Sequence, residues 1–280
     1  MLYYLFYFRW KENSPGTWTG VLAGRVWKLS QNDNEILYST YGGSICSSHH
    51  SFKTDFHSHK DGKRIKKKSV HDLNQSSKFQ IEEQNVYIAD DIDNDIVEER
   101  LLTDYFQLCV NLQELYDQWS HKDANCKVKS QHFQGIRMLR QHPVENLFSF
   151  ICSSNNHISR ISSMVEKLCE HYGDPVMEVD GQKYFSFPSI SALAAKGVEE
   201  NLRKLGFGYR AKYISSTAQY LKDNGGDKYL FNLRDQPYEE TKQQLMKLNG
   251  VGAKVNKTNR RFCILTYIFF VFKRKHFKCL

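Results

Sequence analysis

The 280-residue chain has room for two domains, and its 40% hydrophobic and 25% charged content is that of a folded globular protein, excluding a low-complexity or collagen-like chain. Seven cysteines, an odd number with no CxxC pair, argue for reduced thiols and against a disulfide framework or an iron–sulfur cluster. The net charge of +8 misleads: residues 256–280 hold seven Lys or Arg and no acid, leaving +1 for everything before them, so overall basicity does not identify a nucleic-acid binder.

Residues 1–6, Met-Leu-Tyr-Tyr-Leu-Phe, read as a buried strand. The apolar opening is too short to span a membrane and lacks the charged start and small-residue cleavage site of a secretory signal. Residues 8–41 read as an antiparallel meander. Two strands over residues 18–29 meet at Ala23-Gly24, a turn cluster follows at Asn32-Asp33-Asn34, and a third strand rich in β-formers runs over residues 35–41. Residues 42–93 lose periodicity and are rich in Ser, His, Lys and Asp, so a long loop or disordered insertion is expected. Its basic run, Lys63-Arg64-Ile65-Lys66-Lys67-Lys68, has three readings: a nuclear-localisation patch, a phosphate contact, or a solvated charge cluster.

Helical periodicity begins near Asp95, with Val97, Leu101, Tyr105 and Leu108 on one face. A short helix over residues 111–119 carries Leu112, Leu115 and Trp119. Pro143 suits the first turn of an apolar helix bearing Val144, Leu147, Phe148, Ile151 and Cys152. That helix breaks at Ser153-Ser154-Asn155-Asn156-His157, and an amphipathic helix follows with Ile158, Ile161, Val165, Leu168 and Cys169 inward. Ser189 is an N-cap candidate, Gly206-Phe207-Gly208 a helix stop, residues 209–221 a helix, and Pro237 the start of the helix that carries Leu245 and Leu248.

That last helix runs into Leu248-Asn249-Gly250-Val251-Gly252-Ala253-Lys254-Val255. Two glycines one residue apart permit positive φ and close backbone approach, as a tight turn between two helices requires. The N–H groups of such a turn make a seat for a phosphate, and Lys254 would stand beside it. This is a helix-hairpin-helix element, in which Lys254 is either a phosphate contact or a nucleophile. Beyond it, residues 262–272 form an apolar run of 11 residues, too short for a membrane helix.

Six blocks carry a resemblance: Phe8-Arg9-Trp10; Trp18-Thr-Gly-Val-Leu22; Phe133-Gln-Gly-Ile-Arg137; Asn146-Leu-Phe-Ser-Phe-Ile-Cys-Ser-Ser-Asn-Asn156; Leu205-Gly-Phe-Gly-Tyr-Arg-Ala-Lys-Tyr213; and Gly250-Val-Gly-Ala-Lys-Val255. In order and approximate spacing the chain resembles the eukaryotic 8-oxoguanine DNA glycosylases of the helix-hairpin-helix superfamily. The resemblance covers residues 8–255, with an insertion across the polar loop. It implies an α+β fold. Residues 1–130 would form a small antiparallel β domain with a polar insertion (43–93) and flanking helices. Residues 131–255 would form an all-helical domain ending in the hairpin, incomplete at its C-terminus, and residues 256–280 an atypical tail.

The resemblance also implies roles. Lys254 falls at the family's nucleophile position, attacking C1′ of the sugar and forming an imine that permits elimination of the 3′ phosphate. Asn155 falls where the family fills the hole left by an extruded base. Arg160 and Arg210 fall at arginines that read the orphaned cytosine. Tyr209 falls at the wedge beside the opposite base, and Asn156, Gly250 and Gly252 at other DNA-binding positions. Phe150 falls at an aromatic position near the lesion pocket, although core packing is the stronger reading of that residue. The implied partner is double-stranded DNA containing oxidised guanine or abasic sites, bound by a monomer with no cofactor, no metal and no membrane. The implied location is the nucleus, with a mitochondrial form as the alternative.

Several departures stand beside the match. The family places an aspartate about twenty residues beyond the lysine to stabilise charge at C1′, whereas no Asp or Glu follows Lys254 here. Asn249 stands where the family usually has proline. The glycine whose carbonyl reads the oxidised base is missing from the region of Leu5. These departures lead to the expectation of a chain truncated at both ends, with excision weakened more than lyase activity.

Overall fold

The computed structural model describes residues 8–32, 35–42, 48–53 and 94–252, with the backbone alone for residues 48–53 and 94–96. The expected strand at residues 1–6, the basic run at residues 63–68, Lys254 and the tail lie outside the described residues.

Five strands form one antiparallel sheet in chain order: β1 (Lys11–Ser14), β2 (Thr17–Leu22), β3 (Arg25–Gln31), β4 (Glu35–Tyr41) and β5 (Ser48–Lys53). Ala23 (φ 50°) and Gly24 (φ 70°) make the two-residue β2–β3 turn. Positive φ at both central positions suits the right-handed twist of the flanking strands. β4 shows the expected period of two, burying Ile36, Tyr38 and Thr40. β5 corrects the expectation of an unstructured insertion: Ser-His-His-Ser-Phe-Lys pairs with β4 from Glu35↔Lys53 to Thr40↔Ser48. Its apolar pattern is too poor to announce a strand, and the backbone pairing to β4 defines it.

Helix α1 (Asn94–Phe106) lies on the sheet, with Leu102, Tyr105 and Phe106 packed against Trp10, Trp27, Leu29, Ile36 and Tyr38. The buried face is therefore displaced from the one expected. Leu101 and Leu108 pack at its margin. The stripe position one turn before Leu102 is Glu98, whose side chain is 2% exposed. Arg25 Nη1 donates to its carboxylate at 2.6 Å and Thr40 Oγ1 at 2.7 Å. A paired carboxylate fills a place that hydrophobic periodicity reserves for an apolar side chain.

Helices α2 (Leu112–Lys122) and α3 (Ala124–His132) form an antiparallel pair around Leu112, Tyr116, Trp119 and Cys126. Asn111 and Asp123 cap their N-termini. α3 went unpredicted because Ala-Asn-Cys-Lys-Val-Lys-Ser-Gln-His carries no apolar stripe.

The second core is helical. α4 (Pro143–Cys152) and α5 (Ile158–Tyr172) lead into a two-stranded hairpin, β6 (Pro175–Val179) and β7 (Gln182–Phe185). Then follow α6 (Ile190–Leu193), α7 (Val198–Lys204), α8 (Arg210–Asp223), α9 (Asp227–Asn232) and α10 (Tyr238–Met246). α4 is the central rod. It buries Val144, Leu147, Phe148, Ile151 and Cys152 against α5, α8 and α9. Each such side chain removed from water contributes about 1.5–3 kcal/mol. Pro143 sits in the first turn, and Ser189 accepts a hydrogen bond from Ala192 N, both as the sequence suggested. The β6–β7 hairpin and α9 had no legible signal.

Polar ties join the two cores. Arg9 donates to Glu145 of α4 at 3.3 Å and to the carbonyl of Phe185. Burial alone would lower the Arg9 pKa; the charge and hydrogen bond of Glu145, with smaller contributions from Cys169 and Tyr105, together outweigh it, and the guanidinium is held more firmly charged than in water. Lys11 pairs with Glu166 of α5, and Lys28 with Asp180 at the β6–β7 turn at 2.6 Å. Trp10 donates to Tyr105 Oη at 3.0 Å and lies flat on β2, where a Cβ on Gly20 would come within 2.5 Å of its ring.

Candidate nucleic-acid interface

α4 ends at a loop whose conformation its own side chains determine. Ser153 Oγ donates to Phe150 O at 2.7 Å. Asn155 adopts φ 46°, the left-handed region that asparagine tolerates better than most residues, and its side chain is exposed. Asn156 is turned the other way. Its Nδ2 donates to Cys152 O at 3.0 Å, and its Oδ1 accepts from His157 N at 3.1 Å. His157 then caps α5, with Nδ1 accepting from Arg160 N. The two asparagines, alike in sequence, are thus divided: Asn155 faces outward, while Asn156 spends its amide closing one helix and opening the next.

The loop is held from behind by α8. Arg210 is only 4% exposed, and its guanidinium donates to the carbonyls of Ser154 and Asn155, the latter at 3.1 Å. The sequence reading had Arg210 facing a base. In the structure it is committed to the loop backbone, where its planar fork reaches two carbonyls that follow the end of α4. Tyr209 is 45% exposed, donates to Ser154 O at 3.0 Å and stacks against the Arg210 guanidinium, 4.6 Å from ring centroid to Cζ. Arg160 is exposed and reaches Gly206 O at 3.4 Å, a long contact that leaves most of its donors outward. Phe150 is half-buried and meets Phe8 edge to face at 5.8 Å, as its core reading expected. Burial pushes the Cys152 thiol up to about 12, with the Arg210 charge pulling the other way, so this cysteine is no nucleophile.

The glycine turn also docks on α8. Leu248 and Val251 are buried, Gly250 has φ 80°, and Gly252 has open space around its Cα. A Cβ on Gly250 would lie 2.9 Å from the ring of Tyr213. Thr217 Oγ1 donates to Asn249 O at 2.7 Å, and Asn249 Nδ2 donates to Ser216 Oγ at 3.0 Å. Described residues end at Gly252, two positions before Lys254. Neither residues 153–160 nor residues 247–252 include an acid, so both segments suit a polyanion. Sequence reading missed Tyr213, Ser216 and Thr217. Their spacing of four, seven and eight from Tyr209, one face of a helix, was the available signal.

Residues 7–147 match the family model of the 8-oxoguanine DNA glycosylase N-terminal domain, and residues 148–275 that of the HhH-GPD superfamily base excision DNA repair proteins. An N-glycosylase/DNA lyase of Saccharomyces cerevisiae is 44% identical over 164 residues, 55% of this chain and 43% of that protein. The N-glycosylase/DNA lyase OGG1 of Arabidopsis thaliana is 42% identical over 162 residues, 56% of this chain and 43% of the relative. The chain thus spans less than half the length of these two curated relatives. Among solved structures, MBOgg1 in complex with a low affinity DNA ligand is 27% identical with a TM-score of 0.66, covering 93% of this chain and 70% of that one. The apo-form 8-oxoguanine glycosylase/lyase of Clostridium acetobutylicum, 21% identical with a TM-score of 0.66 and covering 93% and 71% of the two chains, shares the fold. Sheet, helical core and glycine turn together place the chain in the 8-oxoguanine DNA glycosylase family of the HhH-GPD superfamily.

Proposed function

We propose that the chain is a base-excision-repair DNA glycosylase with abasic-site lyase activity, whose substrate is 8-oxoguanine opposite cytosine in double-stranded DNA. The observation that carries this reading is the placement of the outward Asn155 loop and the glycine turn on one helix, α8, in a member of this family. In the proposed mechanism the neutral amine of Lys254 attacks C1′, the glycosidic bond breaks, and the base leaves with the bonding electrons and a proton. The C1′–O4′ bond then opens as the amine nitrogen gives up a proton and O4′ takes one, leaving an imine; the C2′ proton becomes acidic, and its removal expels the 3′ phosphate. Asn155 occupies the vacated stack, Tyr209 wedges beside the opposite base and Arg160 offers the outward guanidinium. Arg210 holds the loop in shape from within. The protein acts as a monomer in the nucleus, requiring no cofactor.

A second reading, a DNA-binding module without base excision, is favoured by one observation: residues 255–280 contain no Asp or Glu. The two separate in one experiment. The full chain is incubated with duplex carrying 8-oxoguanine opposite cytosine, or an abasic site, in the presence of borohydride. A covalent adduct abolished in Lys254→Ala supports the imine chemistry. Binding without an adduct on either substrate supports the second reading.

A further inference from the structure

The inference concerns the residue that separates the two halves of the proposed site, and it rests on the function proposed above. α8 starts at Tyr209 and Arg210, whose side chains hold the carbonyls of the Asn155 loop. One turn on, Tyr213 is half-buried with its ring against Gly250. The rings of Tyr209 and Tyr213 meet edge to face with centroids 5.7 Å apart. Contact is therefore continuous from Asn155 through Arg210 and Tyr209 to Tyr213 and the glycine turn. A further turn along, Thr217 and Ser216 bond Asn249, so the turn cannot slide along the helix without breaking both hydrogen bonds. Gly250 is required twice over, once for φ 80° and once for the Tyr213 ring where its Cβ would be.

We propose that Tyr213 is a positioning residue that couples the opposite-base site to the glycine turn preceding Lys254. A base stacking on the exposed ring of Tyr209 presses that ring on the edge of Tyr213. Tyr213 has Gly250 on its other side and a packed core beneath, so the displacement passes to the turn and is not absorbed. Asn249 serves the same coupling as a latch. A proline at this position would have no side-chain donor for Ser216.

Spatial continuity alone does not establish coupling, so the test is a double-mutant cycle. Parent chain, Tyr213→Ala, Tyr213→Phe, Tyr209→Ala and the Tyr209→Ala/Tyr213→Ala double variant are compared on abasic duplexes with cytosine or adenine opposite. Single-turnover borohydride trapping gives the rate, and anisotropy on a tetrahydrofuran-containing duplex gives Kd. Tyr213→Ala should slow trapping opposite cytosine by about tenfold, about 1.4 kcal/mol, and draw the cytosine-to-adenine rate ratio toward one. Its Kd opposite cytosine should stay within about threefold of the parent's, a change worth under 1 kcal/mol. Tyr213→Phe should behave as the parent, since the ring makes the contact, and the two alanine substitutions should be non-additive. A Tyr213→Ala variant that keeps the parental ratio, or strict additivity with Tyr209→Ala, overturns the proposal. If Tyr213→Ala does not fold, Asn249→Ala at the exposed latch must lower the same ratio, and an unchanged ratio overturns the proposal. If the parent forms no adduct, the chemistry proposed above has failed. The coupling is then decided by hydrogen exchange of the Val251 and Gly252 amides: protection gained on binding the cytosine-opposite tetrahydrofuran duplex and lost in Tyr213→Ala supports it, and protection that Tyr213→Ala leaves unchanged refutes it.

Discussion

Under the proposed function, Asn155 and Asn156 separate stability from recognition within two residues. Asn156→Ala removes the hydrogen bonds to Cys152 O and Met164 Sδ and from His157 N, and should cost about 1–2 kcal/mol of stability, read as a lower Tm with proportionate loss of activity. Asn155→Ala removes an exposed side chain and should leave Tm within a few degrees while weakening affinity for an abasic duplex by about tenfold or more, as base-contacting groups do. Equal effects of both on Tm would refute the division. Arg210→Lys should fail where a surface arginine would tolerate the change. An ammonium lacks the planar fork with which Nε and Nη2 reach both carbonyls, and about 2 kcal/mol should be lost in urea denaturation. The sequence shows the two asparagines and the two arginines, but not which way each faces. Motif spacing records the backbone position; direction is decided by a φ of 46° and by a loop carbonyl 55 residues away.

At the scale of elements, the long helices were legible and the short pieces were not. α4, α5 and α8 announce themselves because an apolar face repeats over several turns and a proline or an Asn-rich break marks a boundary. β5, α3 and the β6–β7 hairpin have no such stripe, being stabilised by a neighbour. α1 was legible as a helix but not in its facing, because Glu98 occupies the buried stripe. This assigns Glu98 a testable weight. Glu98→Ala leaves Arg25, whose side chain is 17% exposed, without its carboxylate and should destabilise by about 3–5 kcal/mol. Glu98→Gln, which keeps the hydrogen bond from Thr40, should cost less. Chemical denaturation of the three proteins checks the order, and equal midpoints would show the pair to be idle.

At the scale of the molecule, a cavity of about 460 Å³ lies between the sheet and the helical core, lined by Arg9, Tyr105, His142, Glu145 and Asp227 among others. Burial, with the charge of Arg234, lowers the His142 pKa from 6.5 to about 4. The folded-state pKa is the lower one, so the unfolded chain takes up the proton first as pH falls. Stability on this account is held above pH 6.5 and is lost as pH drops toward about 4, by roughly 2 kcal/mol after allowance for partial exposure. His142→Asn should flatten the difference between urea midpoints at pH 7 and pH 4.5, and an unchanged difference would assign the acid sensitivity elsewhere. Salt reads the proposed DNA face. Arg160→Ala should reduce the slope of log affinity against log salt by about one, while Lys11→Ala, paired to Glu166 on the domain junction, should leave that slope unchanged.

Arg9, Lys11 and Lys28 each stand in the sheet domain and end on an acceptor in the helical one. Three ties at separate points, of which Arg9–Glu145 is the least exposed, oppose motion of the sheet against the helical core. Under the proposed function, compliance in a complex then falls to the duplex. The elastic cost of bending falls where stacking is already interrupted. Under the proposed function such a protein should sort DNA by local stiffness before any base edge is read, so Lys254→Ala should still bind an abasic or mismatched duplex more tightly than an intact one.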